Sequence, residues 1–284
     1  MKPDAIIPRV SEFETKKQQF IAGGSGKIHV LTDFDKTLTK AFYQGEKIGS
    51  LISRLRNGKY LTKEYAQEAH ALFDKYHPIE IDSTISLEEK SKAMQECWKK
   101  HMDLLVESGV THEVLRSCVN EMMETNIPEL RNGAVEFLKL LHACHVPLVI
   151  LSAGLQDLIT EFLKQKKIKY DNIHVVANRF VFDKNGKAID SEQGIHVLNK
   201  NEARLHDLPI YKEIKKRKNV ILLGDSLGDL KMVGGFAYDC LLKIGFLNDR
   251  VEENLEEYKR QFDVIIPGDG GFDFVNELLR EMCG

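Results

Sequence analysis

The chain lacks an apolar run approaching the roughly 18 residues that a membrane-spanning helix needs. It also lacks an apolar core of signal-peptide length near the N-terminus, so we expect no secretory leader. Its five cysteines are scattered and never at CxxC spacing, which favours reduced thiols over a disulfide framework or a zinc site. With a net charge of -3 and both signs interspersed, it has no basic stretch typical of nucleic-acid binding. We expect a cytoplasmic monomer whose partner is a small molecule, with no nucleic acid and no membrane.

Short apolar runs rich in β-branched residues alternate with amphipathic helical patterns over much of the chain. The alternation predicts right-handed βαβ units, and hence an α/β, Rossmann-like parallel sheet with helices on both faces. A β-hairpin is predicted where 180–182 precedes the turn pair Asn185-Gly186. The predicted strands are 28–31, 146–151, 173–176, 220–223, 241–244 and 264–266, and helices are predicted at 10–21, 134–143 and 155–165.

The segment from Gly45 to Asn126 shows no such strand and is predicted to be helical. A helix over 63–76 is expected to close at Pro78. Ser86 and Glu89 have the spacing of a capping box at the start of a long helix, and Thr111 is placed to cap the next one. The predicted division is a discontinuous core, 1–44 and 127–284, with a helical-bundle cap at 45–126.

Polar residues follow three of the predicted strands. Asp33 and Asp35 follow the first, Ser152 follows the second, and Asp225 and Asp229 follow the strand at 220. Because the carboxyl ends of parallel strands meet at one edge of a sheet, these side chains should converge there. Clustered carboxylates need a neutralising cation, and oxygen ligands beside a phosphate favour Mg²⁺. Each piece alone has a simpler interpretation, because Asp-x-Asp is common in turns and a serine in this position often caps a helix.

The motifs DFDKTLT and GDSLGD, with Ser152 and Lys200 between them, resemble the four motifs of the haloacid dehalogenase-like hydrolases. The resemblance implies that Asp33 is a nucleophile and that Asp35 is the general acid and base. It implies Mg²⁺ held by Asp33, the Asp35 carbonyl and Asp225. The phosphate-binding group would be Ser152, Ala153, Gly154 and Lys200. Ser226 and Asp229 would position these residues without binding the metal or the phosphate directly. Without the resemblance, Lys200 would be interpreted as a solvated side chain.

A longer resemblance is to the cytosolic 5'-nucleotidase III family. It rests on TDFDKTLT, KYHPIEID, IHVLNKNEA, LLGDSLGDLKM and KIGFLNDRVEE, which together run from Thr32 to about Glu253. It implies hydrolysis of nucleoside 5'-monophosphates, namely CMP, UMP and/or 7-methyl-GMP, with the helical insert closing over the site. Within it, Glu80 corresponds to the carboxylate that accepts hydrogen bonds from the base.

Trp98 shares one face of the long predicted helix with Met94, His101 and Leu105. Core packing is one interpretation of this face. The other is that Trp98 and His101 contact the base, where stacking on tryptophan is strongest for a cationic methylated purine. The family usually carries two adjacent aromatics where this chain has Cys97 and Trp98, and a small residue at His101, so the preferred base stays open.

Two alternatives compete with a nucleotidase. Another phosphomonoesterase, such as a phosphoserine-type phosphatase, or a nucleoside phosphotransferase would use the same aspartates. Glu80 argues against a phosphoserine phosphatase, which needs a positive group to bind the substrate carboxylate. Transfer of the phosphoryl group to an alcohol acceptor stays open. A non-catalytic nucleotide-binding protein is disfavoured, because binding alone does not require Asp33 beside Asp35.

Overall fold

The computed structural model describes residues 5–82, 84–192, 194–196, 198–201 and 205–284. The strands are β1 Ile28–Thr32, β2 Phe42–Tyr43, β3 Glu46–Lys47, β4 Leu148–Leu155, β5 Ile173–Phe182, β6 Ala188–Glu192, β7 Asn219–Gly224, β8 Cys240–Leu247 and β9 Val264–Pro267. The helices are α1 Val10–Gly23, α2 Leu51–Asn57, α3 Lys63–Ile81, α4 Leu87–Glu107, α5 His112–Thr125, α6 Ala134–Ala143, α7 Gln156–Gln165, α8 Tyr211–Ile214, α9 Val251–Gln261 and α10 Asp273–Cys283. None of them is long and apolar enough to cross a membrane.

The main sheet has the strand order β6-β5-β4-β1-β7-β8-β9. Every pair is parallel except β5–β6, so the predicted α/β, Rossmann-like fold is confirmed. All five residues of the central β1 are buried, as expected for a strand covered by helices on both faces. Strands β4, β1 and β7 are neighbours in this sheet, so their carboxyl ends bring the predicted site residues to one edge.

The hairpin predicted around Asn185-Gly186 is confirmed as β5–β6, although β5 is one continuous strand that includes both predicted segments. A second hairpin, β2–β3, was not predicted. Its strands have two residues each, too few to show an alternating pattern. They are joined by Gln44 and Gly45 at φ 51° and 84°, the left-handed pair that a tight hairpin turn requires.

Helices α2 to α5 occupy the segment predicted to be helical. The capping box is confirmed, because the Ser86 hydroxyl accepts from the Glu89 amide at 3.2 Å and Glu89 accepts from the Ser86 amide at 3.3 Å. Thr111 caps α5 by accepting from the amide of Val114 at 3.1 Å. A separate cap domain at 45–126 stays a prediction, since one hydrophobic cluster continues from the sheet into these helices.

The prediction that the helix over 63–76 closes at Pro78 was wrong. Helix α3 continues through Pro78 to Ile81. A proline in the last turns removes one backbone donor, and here the helix is held by buried Ala69 and Tyr76 and by its packing along α4. The extension places Glu80 on the last turn of a helix.

Candidate active site

Carboxylates from two strand ends converge at the centre of the sheet edge. One oxygen each from Asp33, Asp225 and Asp229 lies within 4.8 Å of the others. Asp33 follows β1 and donates its amide to the Leu223 carbonyl of β7 at 3.1 Å, which fixes the two strand ends together. The convergence predicted for these residues is therefore observed.

Lys200 lies inside this cluster. Its Nζ donates to Asp33 Oδ1 at 2.5 Å and to Asp229 Oδ1 at 2.7 Å, and the side chain is only 4% exposed. Burial alone would lower the pKa of Lys200, but the charges of the two aspartates raise it. Burial raises the pKa of Asp33 to about 7, while the charge of Lys200 opposes the shift. Lys200 is thus a buried ammonium beside the predicted nucleophile.

Asp229 holds the loop that follows β7. Its Oδ2 accepts from the amides of Asp225 and Ser226 at 3.1 and 3.0 Å and from the Ser226 hydroxyl at 2.9 Å. Its Oδ1 accepts from Lys200. A Cβ on Gly224 would lie 2.4 Å from the Asp229 Cβ, so only glycine fits there. Asp229 therefore connects Lys200 to the loop of Asp225.

Asp225 is held from two further directions. The Tyr258 hydroxyl donates to its carbonyl oxygen at 2.6 Å, and the Thr37 hydroxyl approaches its Oδ1 at 3.4 Å. Burial, followed by the charges of Asp229 and Asp33, raises the pKa of Asp225 well above its usual value. The cluster is therefore electrostatically costly as a set of bare carboxylates, as expected for a cation site.

Ser152, Ala153 and Gly154 lie in the last part of β4, where the pairing with β5 shifts register between Leu151 and Leu155. The Ser152 hydroxyl accepts from the Gly154 amide at 3.0 Å. It does not cap the following helix, because Leu155 occupies the N-cap position and the helix begins at Gln156. The capping interpretation of Ser152 was wrong, since the strand continues past this serine.

Asp35 leaves the strand register and points toward the helical segment. Its Oδ1 accepts from the backbone amide of Leu51, the first residue of α2, at 2.9 Å. Burial raises the pKa of Asp35 to about 6, and this hydrogen bond opposes the shift. The predicted acid and base is thus oriented by a donor outside the sheet.

Two adjoining cavities open at this edge. The first, of about 320 Å³, contains the aspartates, Lys200 and the Ser152 loop. The second, of about 370 Å³, lies between α2, α3 and α4 and contains Glu80 and His101. Residues that line both are Lys36, Ser50, Ile52 and Trp98. The structure therefore brings the residues predicted to contact a base next to those predicted to handle a phosphate.

Within the second cavity the three predicted residues differ in their surroundings. Glu80 Oε2 lies 3.3 Å from His77 Nδ1, and Glu80 lines the cavity. His101 shares a hydrogen bond of 3.2 Å with the Tyr65 hydroxyl. Burial, followed by the charge of Arg56, lowers the pKa of His101 to about 4, so its ring is neutral at pH 7. Trp98 is half-buried: it packs against the hydrophobic core and also lines both cavities, so both interpretations of this residue hold in part.

Arg131 was missed by sequence reasoning. It is fully buried, and its guanidinium donates to the carbonyl oxygens of Lys36 at 2.5 Å, Thr37 at 2.9 Å and Gly270 at 2.8 Å. It also pairs with Asp269 at 3.0 Å. Burial lowers the pKa of Arg131 to about 10. It therefore fixes the loop after Asp35, yet it stands in no motif and no periodic pattern that would have marked it.

The sheet order and the carboxylate cluster at its edge agree with the haloacid dehalogenase-like motifs of the sequence. A solved substrate-bound phosphoserine phosphatase complex shares this fold, with a TM-score of 0.51 at 18% identity over 88% of this chain and 97% of the other. A structure of cytosolic 5'-nucleotidase IIIB bound to cytidine gives a TM-score of 0.89 at 29% identity over 99% of this chain and 94% of that one.

Sequence comparison gives the family. The family model for pyrimidine 5'-nucleotidase (UMPH-1) matches residues 36–283. The 7-methylguanosine phosphate-specific 5'-nucleotidase A of Xenopus laevis is 37% identical over 261 residues, 91% of this chain and 88% of the relative. The human 7-methylguanosine phosphate-specific 5'-nucleotidase is 36% identical over 262 residues, which cover 92% of this chain and 86% of the relative. The chain belongs to the pyrimidine 5'-nucleotidase (UMPH-1) family, and it is a phosphoric monoester hydrolase that acts on nucleoside 5'-monophosphates.

Proposed function

We propose that this chain is a Mg²⁺-dependent 5'-nucleotidase that hydrolyses CMP, UMP and/or 7-methyl-GMP to the nucleoside and phosphate. The observation that carries the proposal is the shared wall of the two cavities. Trp98 contributes to the cavity of Asp33 and Lys200 and also to the cavity of Glu80. A nucleotide can therefore place its phosphate in the first and its base in the second.

Asp33 is the proposed nucleophile. It attacks phosphorus, and the bond from phosphorus to the 5'-oxygen breaks to leave an aspartyl-phosphate. Lys200, at 2.5 Å from Asp33 Oδ1, orients this carboxylate and offers positive charge to the equatorial phosphate oxygens. The Ser152 hydroxyl and the amides of Ala153 and Gly154 line the same cavity and are proposed to donate to these oxygens as well.

Asp35 is the proposed general acid and base. Its pKa of about 6, raised by burial, allows it to hold a proton near neutral pH and to give it to the leaving 5'-oxygen. In the second step the Asp35 carboxylate takes a proton from the attacking water. Phosphate then leaves, and Asp33 returns as a carboxylate.

The residues at the centre fit a hard divalent cation. Three buried or half-buried carboxylates offer oxygens within 4.8 Å of one another, and burial together with mutual repulsion raises the pKa of Asp225. Asp33, the Asp35 carbonyl and Asp225 are the proposed ligands, whereas Asp229 and Ser226 support the loop. When bound, Mg²⁺ supplies charge neutralisation and orientation of the phosphate for in-line attack.

We propose that residues 45–126 form the cap that recognises the nucleoside part of the substrate. The Glu80 carboxylate is an acceptor for base N–H groups, and Trp98 offers a ring face for stacking. His101, neutral at pH 7, is proposed to contact the base edge from the same wall of the cavity.

We also propose a cytoplasmic monomer with no membrane or nucleic-acid partner. A Caenorhabditis elegans relative, 32% identical over 272 residues, carries the word cytosolic in its name. Light scattering after size exclusion would test the oligomeric state, and a mass near twice 32.4 kDa would contradict it.

The test of function is phosphate release from CMP, UMP, 7-methyl-GMP and p-nitrophenyl phosphate with Mg²⁺. We expect turnover of at least one of the nucleotides and its loss in Asp33→Asn, by at least about a thousandfold as for other catalytic nucleophiles. Asp239→Asn is the control, because this exposed aspartate directly precedes β8, at the edge of the sheet opposite the site. Hydrolysis of p-nitrophenyl phosphate without hydrolysis of any nucleotide would contradict the proposal.

A further inference from the structure

Arg56 stands near the end of α2 and lines the cavity of Glu80 and Trp98. Its guanidinium carbon lies 5.0 Å from the ring centroid of Phe73 on α3. Within the described ranges no hydrogen bond or ion pair to Arg56 is found, and its Nε is buried without a partner. Arg54, two residues earlier, pairs with Glu121 at 3.3 Å instead. Arg56 therefore lines the base cavity as a cation with no direct ion-pair partner among the described residues.

An unpaired donor away from water is unfavourable, so an acceptor brought in by a ligand would be favoured there. The charge also reaches across the cavity, because it contributes to the lowered pKa of His101. The phosphate is not the natural acceptor, since Arg56 lines the second cavity and not the one that contains Lys200. We therefore assign the acceptor to the base, which the second cavity is proposed to hold.

Glu80 and Arg56 together present one acceptor carboxylate and one donor cation to the same space. A neutral base that carries both an N–H group and a ring carbonyl satisfies both. Cytosine offers its amino group and O2, and uracil offers N3–H and its carbonyl oxygens. A 7-methylated guanine carries a positive charge, which Arg56 would repel in a partly desolvated cavity.

We propose that Arg56 is a specificity-determining residue that donates to a carbonyl of a neutral base and disfavours the cationic 7-methylguanine. This inference rests on the proposed nucleotidase function with the base in the second cavity. It predicts a base preference different from the one that the names of several relatives specify, 7-methylguanosine phosphate.

The test compares Arg56→Gln, which removes the charge, with Arg56→Lys, which keeps it, and with Arg54→Gln as the control on the same helix. The measurement is the ratio of kcat/KM for CMP to that for 7-methyl-GMP, and the ratio of Kd for the nucleosides cytidine and 7-methylguanosine. We expect Arg56→Gln to shift both ratios about tenfold toward the methylated purine, mostly through KM, as for one weakly screened charge pair. Arg56→Lys and Arg54→Gln should stay within about threefold of wild type, because the cavity charge is retained in both.

Unchanged ratios in Arg56→Gln, or an equal shift in Arg56→Lys, would overturn the inference. Thermal melting of each variant verifies that it folds, and Arg56→Met, which also removes the charge, replaces the glutamine variant if that one does not. Failure of the wild-type protein to hydrolyse any nucleotide would count against the proposed function instead. The ratio of nucleoside Kd values needs no turnover and still decides the role of Arg56.

Discussion

The carboxylate of Asp35 accepts a hydrogen bond of 2.9 Å from the backbone amide of Leu51. That amide is the first of α2, one of the donors that a helix N-terminus leaves without an intrahelical partner. A donor from the helical insert therefore sets the orientation of the proposed general acid, which otherwise belongs to the loop after β1. We therefore expect the position of α2 to affect the proton transfer proposed for Asp35.

Leu51→Pro removes this donor with little strain. Proline is favoured at the first position of a helix, and the preceding Ser50 already has the extended backbone, φ -64° and ψ 167°, that a proline requires of its neighbour. We expect kcat for the nucleotide to fall about tenfold relative to Leu51→Ala, part of the usual gain from acid-base catalysis. Leu51→Ala also loses the buried side chain but keeps the amide, so it is the matched control.

A comparison of two substrates distinguishes a wrongly oriented Asp35 from a general disturbance of the active site. p-Nitrophenolate needs no proton to leave, so Leu51→Pro should lose less activity toward p-nitrophenyl phosphate than toward a nucleotide. An equal loss for both substrates would show that the amide of Leu51 does not act through Asp35.

The carboxylate cluster gives a prediction about Mg²⁺ and stability. Because repulsion and burial raise the pKa of Asp225, metal-free Asp225→Asn should unfold at a higher temperature than metal-free wild type at pH 8. Saturating Mg²⁺ should reverse this order, since binding at 100 times Kd adds about 2.7 kcal/mol to the wild type and less to a variant with a weakened ligand. Thermal melting with EDTA and with Mg²⁺ measures both effects, and activity should be lost in EDTA.

The control is the exposed Asp239→Asn, which should behave as wild type in both buffers. If metal-free Asp225→Asn were less stable than metal-free wild type, the electrostatic account would be contradicted.

Arg131 gives a prediction about the loop that carries Asp35. Arg131→Gln removes the guanidinium donors of the Lys36 and Thr37 carbonyls and the cation beside Asp269. The Lys36 carbonyl keeps the Asn248 amide as a donor, but the uncompensated charge of Asp269 should cost roughly 3–5 kcal/mol of unfolding free energy. Urea denaturation measures this cost. Arg116→Gln is the control, because that side chain is 66% exposed and lies 3.8 Å from its partner, and it should change stability by less than about 0.5 kcal/mol. A similar small change in Arg131→Gln would show that the loop is held by other contacts.

Much of the fold and the centre of the site were predictable from sequence, because the signal lies in neighbouring residues. Each strand that ends at a predicted site residue is an apolar run followed closely by a polar residue, as at Asp33 and Asp225. Parallel topology then brings the strand ends together without further information. Lys200 is different, because its contact with Asp33 joins residues 167 positions apart, and only the family resemblance indicated it.

The contacts that were missed have no local signal. The amide of Leu51 is a backbone group, so no residue type marks it as the partner of Asp35. The charge of Arg56 is typical of a solvated face on a short helix, and its place in a cavity depends on how α2 packs against α3 and α4. Pro78 was misinterpreted for a related reason, because packing along α4 outweighs one missing hydrogen bond.

The neutral state of His101 gives a prediction about acid stability. Burial and the charge of Arg56 lower its pKa to about 4 in the folded protein, against about 6.5 when unfolded. Above pH 6.5 both states hold a neutral ring. Between pH 6.5 and 4 only the unfolded state binds the proton. The free energy of unfolding therefore decreases as the pH is lowered through this window, by up to about 3 kcal/mol. His101→Gln, whose amide can replace the hydrogen bond to Tyr65, should lose less stability than wild type over this window, as followed by urea denaturation at each pH. The exposed His70→Gln should keep the wild-type slope, and a wild-type slope in His101→Gln would show that His101 is not the group responsible.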